Sequence, residues 1–230
     1  WRRDKWNSFA KSFLKKSEEF AVKYSDIVIS DNKAIADYVK SEYGCESNVI
    51  AYGGDHAVHS DLTSIDKDYA FTVCRIEPEN NIAMILKAFS MVRKKLIIVG
   101  NWNNSTYGID LRDEYKCYSN IKMLDPIYDT AKLAELRAFC SCYIHGHSAG
   151  GTNPSLVEMM HFGKSIICFD CSYNRETTEH RALYFENELA LSEIINSGEY
   201  FGDNKHMLNI AREKYTWEKI RKQYYELFLI

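Results

Sequence analysis

Two short runs of this 230-residue chain carry residue types suited to holding an anion. One is Gly150-Gly151-Thr152-Asn153-Pro154, which follows an apolar run and the imidazole of His147. Paired glycines let a backbone turn tightly and approach a ligand with no Cβ in the way. Asn153 is a favourable N-cap, and Pro154 fits the first position of a helix. The run therefore reads as a strand-to-helix turn whose N–H groups and positive helix end face a ligand, and a diphosphate suits that position. The alternative is an ordinary turn that needs glycine for its geometry. The other run is Cys74-Arg75, closing the apolar stretch Ala70 to Cys74. A guanidinium forks onto phosphate oxygens with a geometry that lysine lacks; the plain alternative is a surface arginine just past a strand. Glu158 lies about one turn into the helix after Pro154. A carboxylate there can accept from ribose hydroxyls or simply face water.

Other chemistries fail on spacing. No Gly-x-Gly-x-x-Gly follows the run ending at Cys74, which weakens a dinucleotide oxidoreductase. Gly163-Lys164-Ser165 ends like a phosphate loop, but the upstream glycine such a loop needs falls at Glu158. Glu158 and His161 form one Glu-x-x-His pair, whereas a di-iron site needs two on a helical bundle. No Ser-His-Asp set stands out. The best metal candidates are Cys140, Cys142, His145 and His147 with Cys168 and Cys171. Strand alternation sends Cys142 and His145 to opposite faces, so no metal site is assigned. Seven cysteines, an odd number lying mostly in apolar runs, read as reduced buried thiols in a cytosolic setting. A net charge of -3 offers no general attraction to nucleic acid, and no run of ~18 apolar residues is present to span a membrane.

The elements that must position these residues follow from periodicity. Short apolar strands are predicted at Ala70–Cys74, Leu96–Gly100, Ile121–Leu124, Cys142–Gly146, Ser165–Phe169 and Leu183–Phe185. Helical spacing separates most of them; Ile82, Ile85, Leu86 and Phe89 give the i, i+3, i+4, i+7 signature. Strands alternating with helices imply a parallel sheet covered on both faces, a doubly wound Rossmann-like α/β domain. Ligands bind such a sheet beyond the strand C-termini where the order reverses. In the commonest six-strand order, that point brings Arg75 and the Gly150–Pro154 turn into one crevice. Residues 56–205 are assigned to this domain, after a smaller α/β remnant at 1–55 and before a closing helix at 206–230. The remnant holds a helix to residue 24, strands at Ile27–Ile29 and Asn48–Tyr52, a helix at Ala34–Ser41, and a flexible point at Gly53-Gly54. The first helix carries Trp6, Phe9, Phe13, Leu14, Phe20 and Ala21 on one face and Lys11, Lys15, Lys16 and Lys23 on another. Packing of its apolar face on its own domain is the favoured reading, with peripheral contact to an anionic membrane as the alternative. In the closing helix, Trp217, Ile220, Tyr224, Leu227 and Phe228 form an apolar stripe.

Taken together, CRIEPENNIAMILKAF (74–89) and HGHSAGGTNPSLVEMMHFGKSIICFD (145–170) resemble the donor-binding domain of GT-B, family 4 type glycosyltransferases. The bacterial rhamnosyltransferase branch that builds capsules and cell-wall rhamnan is the nearest likeness. YTWEKIRKQYYELF (215–228) is similar to the family's returning C-terminal helix. The resemblance implies that Arg75 binds the diphosphate and that Glu158, the last glutamate of an E-x7-E motif, holds the ribose. It further implies that Gly150, Gly151 and Thr152 contact phosphate or sugar, that Asp125 to Tyr128, including Ile127, receives the nucleobase, and that Gly53-Gly54 is the interdomain crossover. His147 and Asn153 complete the expected donor site. Two positions depart from the pattern. Asn80 stands where the family has lysine, which Lys164 or the helix dipole would partly replace, and Gly150 stands where the first glutamate belongs.

The function so implied is transfer of a hexose, with rhamnose as the expected sugar, from a dTDP- or UDP-linked donor to a glycan or lipid-linked saccharide in cell-surface polysaccharide synthesis. Arg75 and Glu158 are the expected catalytic groups; no cofactor or metal beyond the donor is assigned. Retention of configuration and a cytoplasmic location, at the inner face of the membrane, accompany the resemblance. Most of an acceptor-binding domain is expected to lie outside this chain, so residues 1–230 alone are expected to bind nucleotide without robust transfer. A non-catalytic nucleotide-binding module and a Rossmann-type oxidoreductase are the alternatives.

Overall fold

The computed structural model describes residues 6–58, 68–200 and 205–229. The first five residues of the N-terminal segment and most of the polar stretch 61–68 lie outside the described residues. The chain opens with helix α1 (Ser8–Tyr24), strand β1 (Ile29–Ser30), helix α2 (Lys33–Tyr43) and strand β2 (Asn48–Val49). β1 and β2 pair in parallel as a two-stranded sheet.

A six-stranded sheet then forms from β3 (Tyr69–Val73), β4 (Lys95–Val99), β5 (Ile121–Leu124), β6 (Cys142–His145), β7 (Ser165–Phe169) and β8 (Leu183–Phe185). Its helices are α3 (Ile82–Ser90), α4 (Thr106–Tyr115), α5 (Thr130–Phe139), α6 (Pro154–Met160), α7 (Ser172–Thr177) and α8 (Glu188–Ser197), followed by α9 (Lys205–Lys214) and α10 (Trp217–Leu227). Every strand pair is parallel, in the order β5-β4-β3-β6-β7-β8. The order reverses between β3 and β6, which is the doubly wound arrangement expected.

Both faces are dry because successive side chains alternate. Ala70, Cys142, Ile144 and Ile167 pack with α3, α4 and α8 residues in one core, while Phe71, Tyr143, Ile166 and Cys168 pack with α6 and α9 in the other. On α3 the predicted stripe Ile82, Ile85, Leu86 and Phe89 is fully buried, each side chain contributing roughly 1.5–3 kcal/mol of transfer free energy.

The terminal helices depart from expectation. α1 buries no residue: Phe9 and Phe13 are 82% and 64% exposed. Its polar side makes the contacts instead, with Glu18 accepting the hydroxyls of Tyr38 and Tyr43 on α2 at 2.6 Å each. A carboxylate that accepts from two hydroxyls forms charge-assisted bonds, which are stronger than neutral ones. In α10 only Ile220 of the stripe is buried, while Trp217, Tyr224 and Phe228 are exposed.

Candidate functional site

The strand order brings the two anion-binding runs together. Beyond the C-termini of β3 and β6 lies a cleft of about 290 Å³ lined by Arg75 and Asn80 on one side and by His145, His147, Asn153, Pro154 and Ser155 on the other. Arg75 is exposed at its rim, with its guanidinium 3.8 Å from Glu77. A larger cavity of about 470 Å³ opens elsewhere, between the Asp31–Lys33 segment, Thr152 and α10. Its charges are balanced between lysines and glutamates, whereas the smaller cleft sits at the point where the sheet topology directs ligands.

Asn80 is the pin of the cleft. Its side chain is buried, and its Nδ2 donates to the Arg75 carbonyl at 2.7 Å. Oδ1 must then act as acceptor, and it meets His147 Nδ1 at 2.7 Å, which places the His147 proton on Nδ1. Two further bonds fasten the same segments: Asn81 donates to the Gly146 carbonyl at 2.8 Å, and the Ser148 amide donates to the Glu79 carbonyl at 2.9 Å. Gly146 admits this approach because a Cβ there would lie 2.2 Å from the Asn80 carbonyl oxygen. Asn80, which stands where the resemblance has a lysine, thus holds Arg75 and His147 in register.

The glycine turn differs from expectation. Gly150, at φ +130, adopts a conformation that glycine alone enters freely. However, Gly150, Gly151 and Thr152 do not line the Arg75 cleft. Gly151 and Thr152 face the N-terminal segment: a Cβ on Gly151 would lie 1.7 Å from Asp31 Oδ1, and the Asp31 carboxylate accepts a backbone hydrogen bond from Thr152, whereas a Cβ on Gly150 would lie 3.3 Å from His147 Nε2. Burial holds the Asp31 carboxyl above its ordinary range, opposed by bonds from Tyr52 and Thr152. Asn32 reinforces the contact, donating to Thr152 Oγ1 and Thr177 Oγ1 at 3.2 Å each. At the helix start, the Ser155 amide donates to the Asn153 side chain at 3.0 Å, the cap predicted for that residue. The amides of Thr152 and Ser155 are therefore engaged within the protein, and Asn153, Pro154 and Ser155 are the part of the run that reaches the cleft.

Glu158 also sits apart from it. Its carboxylate pairs with Arg137 of α5, which is 5% exposed, and stands 3.4 Å from His56 Nε2. His56 accepts the Trp217 indole N–H at 3.0 Å, so its own proton is on Nε2, directed at Glu158. Gly54 permits this approach, since a Cβ there would lie 2.6 Å from the Val157 carbonyl carbon. The nucleobase segment is likewise not brought to the cleft: Asp125 pairs with Arg112 at 2.8 Å, Ile127 packs on the core, and Tyr128 is 90% exposed. Lys164 cannot stand in for a lysine at the site. It precedes β7, at the N-terminal edge of the sheet, a strand length of roughly 16 Å from the C-terminal edge.

Sequence reasoning missed Arg137, which was hidden among the weak apolar periodicity of α5, and Asp31 and Asn32, whose contacts with Thr152 span more than a hundred positions. It noted His145 only as a metal candidate. Burial and the neighbouring His147 push the His145 imidazole down to about 3, so it is neutral. Cys142 faces the opposite core from Tyr143, the residue on which His145 stacks.

Two sequence families match the chain: glycosyl transferases group 1 over residues 59–199, and a domain of unknown function over residues 1–55. No curated protein matches it. Among solved structures, it is similar to sucrose-phosphate synthase from Thermosynechococcus elongatus, at 15% identity and TM-score 0.78 over 94% of this chain and 61% of that one. It is also similar to Anabaena HepE in complex with UDP and glucose, at 17% identity and TM-score 0.79 over 96% and 67% of the two chains. A third is S. aureus TarM with UDP, at 14% identity and TM-score 0.67 over 98% and 48%. At these identities the likeness shows the fold, and the chain spans 61% of the length of the first of these structures.

Proposed function

Because this chain belongs to the glycosyl transferases group 1 family, we propose that it forms the donor-binding part of an enzyme that moves a sugar from a nucleoside diphosphate to a glycan. The observation that carries this reading is the convergence of Arg75, His147 and the start of α6 in one cleft at the point where the sheet order reverses. In that cleft the Arg75 guanidinium neutralises negative charge that grows on the departing diphosphate as the glycosidic bond breaks, and electrostatic help of this kind is often what lowers a reaction barrier most. Asn80 and His147 keep the arginine's strand end and the helix start at a fixed separation. Glu158 holds the ribose in this scheme. Pairing with Arg137 uses part of its carboxylate, and two oxygens with about four lone-pair sites leave room for a hydroxyl. Asp125, Ile127 and Tyr128, on the loop that leaves β5 outside the cleft, receive the base where the nucleotide extends beyond it. The donor is dTDP- or UDP-linked, in keeping with the UDP seen in HepE and TarM.

The finer reading is transfer of a hexose, rhamnose above all, with retained configuration to a glycan or lipid-linked saccharide of a cell-surface polysaccharide, at the cytoplasmic face of a membrane. It rests on the motifs at 74–89 and 145–170. We divide the chain into an acceptor-side segment at 1–55, a donor domain at 56–205 and a returning helix at 206–230. Supporting that division, the Gly53–Ala57 segment and the start of α10 meet: the Gly54 amide donates to the Tyr215 carbonyl at 2.8 Å, and the Trp217 amide to Asp55 at 2.9 Å. A nucleotide-binding module without transfer chemistry is the second reading, favoured by the engagement of Glu158 with Arg137 and by glycine at position 150.

A thermal-shift panel of dTDP, UDP, GDP and NAD, each with and without EDTA, tests the proposal. A nucleoside diphosphate at a hundred times its dissociation constant stabilises the fold by about 2.7 kcal/mol, and Arg75→Ala abolishes that shift. Stabilisation by NAD alone, or a shift that survives Arg75→Ala, refutes the site.

A further inference from the structure

His145 ends β6 and is 4% exposed. Its ring stacks on Tyr143 at 6.0 Å with an interplanar angle of 27° and lies 6.2 Å from the ring of His147. Its neighbours are engaged elsewhere: Thr72 Oγ1 donates to the Ile144 carbonyl at 2.6 Å, and the Asn80 amide spans the Arg75 carbonyl and His147. Among the described residues, no protein group pairs with His145 Nε2, although that atom is buried. His145 is nevertheless one of the residues that line the Arg75 cleft. Leaving a buried polar nitrogen without a partner costs stability, and a phenyl ring fills the same space without that cost. An imidazole retained in such a place has a partner to meet.

We propose that His145 is a ligand-contacting residue of this cleft, its Nε2–H donating to a phosphate oxygen of a bound nucleoside diphosphate. This rests on the reading of the cleft given above and deepens it. The arrangement divides the work between two unlike donors. Arg75 is an exposed cation that captures the diphosphate at the rim. His145 is a rigid donor packed on Tyr143, and it discriminates by position. A neutral ring suits the inner place, because a second cation there would require burying a charge in the unliganded protein. Burial and His147 keep the ring in that state. An incoming phosphate supplies an acceptor that none of the described residues offers, so binding relieves the cost of the unpaired nitrogen.

The test uses the full chain with UDP and dTDP as probes, read by calorimetry and by thermal denaturation. His145→Phe keeps the ring and its stacking but removes the nitrogen. Affinity for the preferred probe falls by about tenfold, the size of one hydrogen bond to a charged group, while the denaturation midpoint without nucleotide stays level or rises. Unchanged affinity overturns the inference. So does a lowered midpoint with affinity retained, which is the signature of a structural histidine. If His145→Phe fails to fold, the imidazole nitrogen resonances of the wild-type protein decide: Nε2 of His145 shifts on adding the nucleotide if it donates to phosphate, and an unmoved signal rejects the contact. Arg75→Ala run in parallel separates the two readings. Loss of binding there with His145→Phe unaffected preserves the cleft and removes the histidine. Absence of UDP and dTDP binding by the wild type removes both.

Discussion

Glu158 has a structural role in the fold beside the ribose contact proposed for it. Its carboxylate is the partner of Arg137, a guanidinium buried to 5% exposure. Removing one member of a buried ion pair leaves the other charged and unsolvated, which typically costs about 3–5 kcal/mol. Glu158→Ala is therefore expected to lower the unfolding free energy by about 3 kcal/mol, measured by urea denaturation. Arg137→Met combined with Glu158→Leu should recover most of that loss, because both charges leave together. If the single change costs under ~0.5 kcal/mol, the pair behaves as a surface bridge and its structural role is wrong. Nucleotide affinity measured on the stable double variant isolates any contact between Glu158 and ribose from its effect on the fold.

At the scale of elements, the glycine turn before α6 joins two parts of the chain as well as shaping a loop. Asp31 and Asn32, at the start of α2, reach Thr152 in the turn, and Asn32 also reaches Thr177 in α7. The contact exists because position 151 has no Cβ: an alanine there would collide with the Asp31 carboxylate. Gly151→Ala is expected to destabilise the protein by about 1–3 kcal/mol, the usual cost of overpacking. Asp31→Gly in the same chain should restore part of the loss, giving a positive coupling in a double-mutant cycle. Equal costs of Gly151→Ala with and without Asp31 would place the strain in the backbone and dissolve the proposed contact. The segments at 79–81 and 146–148 are joined on the same logic, through the gap at Gly146 and the hydrogen bonds of Asn80, Asn81 and Ser148.

At the scale of the whole molecule, the net charge is -3, yet α1 offers a different surface. Phe9, Phe13, Phe20 and Tyr24 are all exposed, and at 100° per residue they fall within about 60° of one another on the helix. Lys16 lies over the Phe20 ring and Lys23 over Tyr24, at 5.1 Å each, so ammonium groups flank an aromatic stripe in the manner of helices that lie in a lipid interface. No helix among the described residues is long and apolar enough to cross a membrane. We predict that the chain sediments with vesicles containing anionic lipid and stays in solution with neutral ones, and that Phe9→Ser with Phe13→Ser abolishes the difference. Equal sedimentation with both vesicle types, or none with either, rejects the membrane contact.

The sheet and its covering were legible in the periodicity of the chain. β5, β7 and β8 lie at the residues that periodicity marks, and the parallel order follows from strands alternating with helices. The same pattern also determined that Arg75 and the start of α6 share a crevice, because topology decides which strand ends become neighbours and local pattern decides the topology. Which groups of the turn are available follows from long-range packing alone. Whether an amide faces a cleft or a carboxylate depends on contacts between residues 120 positions apart, such as Asn32 and Thr152, and no local spacing records these. The same holds for Arg137 against Glu158 and for His145, whose Nε2 has no partner among the described residues. Periodicity reports which face of an element is dry; hydrogen-bond pairing in the interior is settled atom by atom, after the elements have packed.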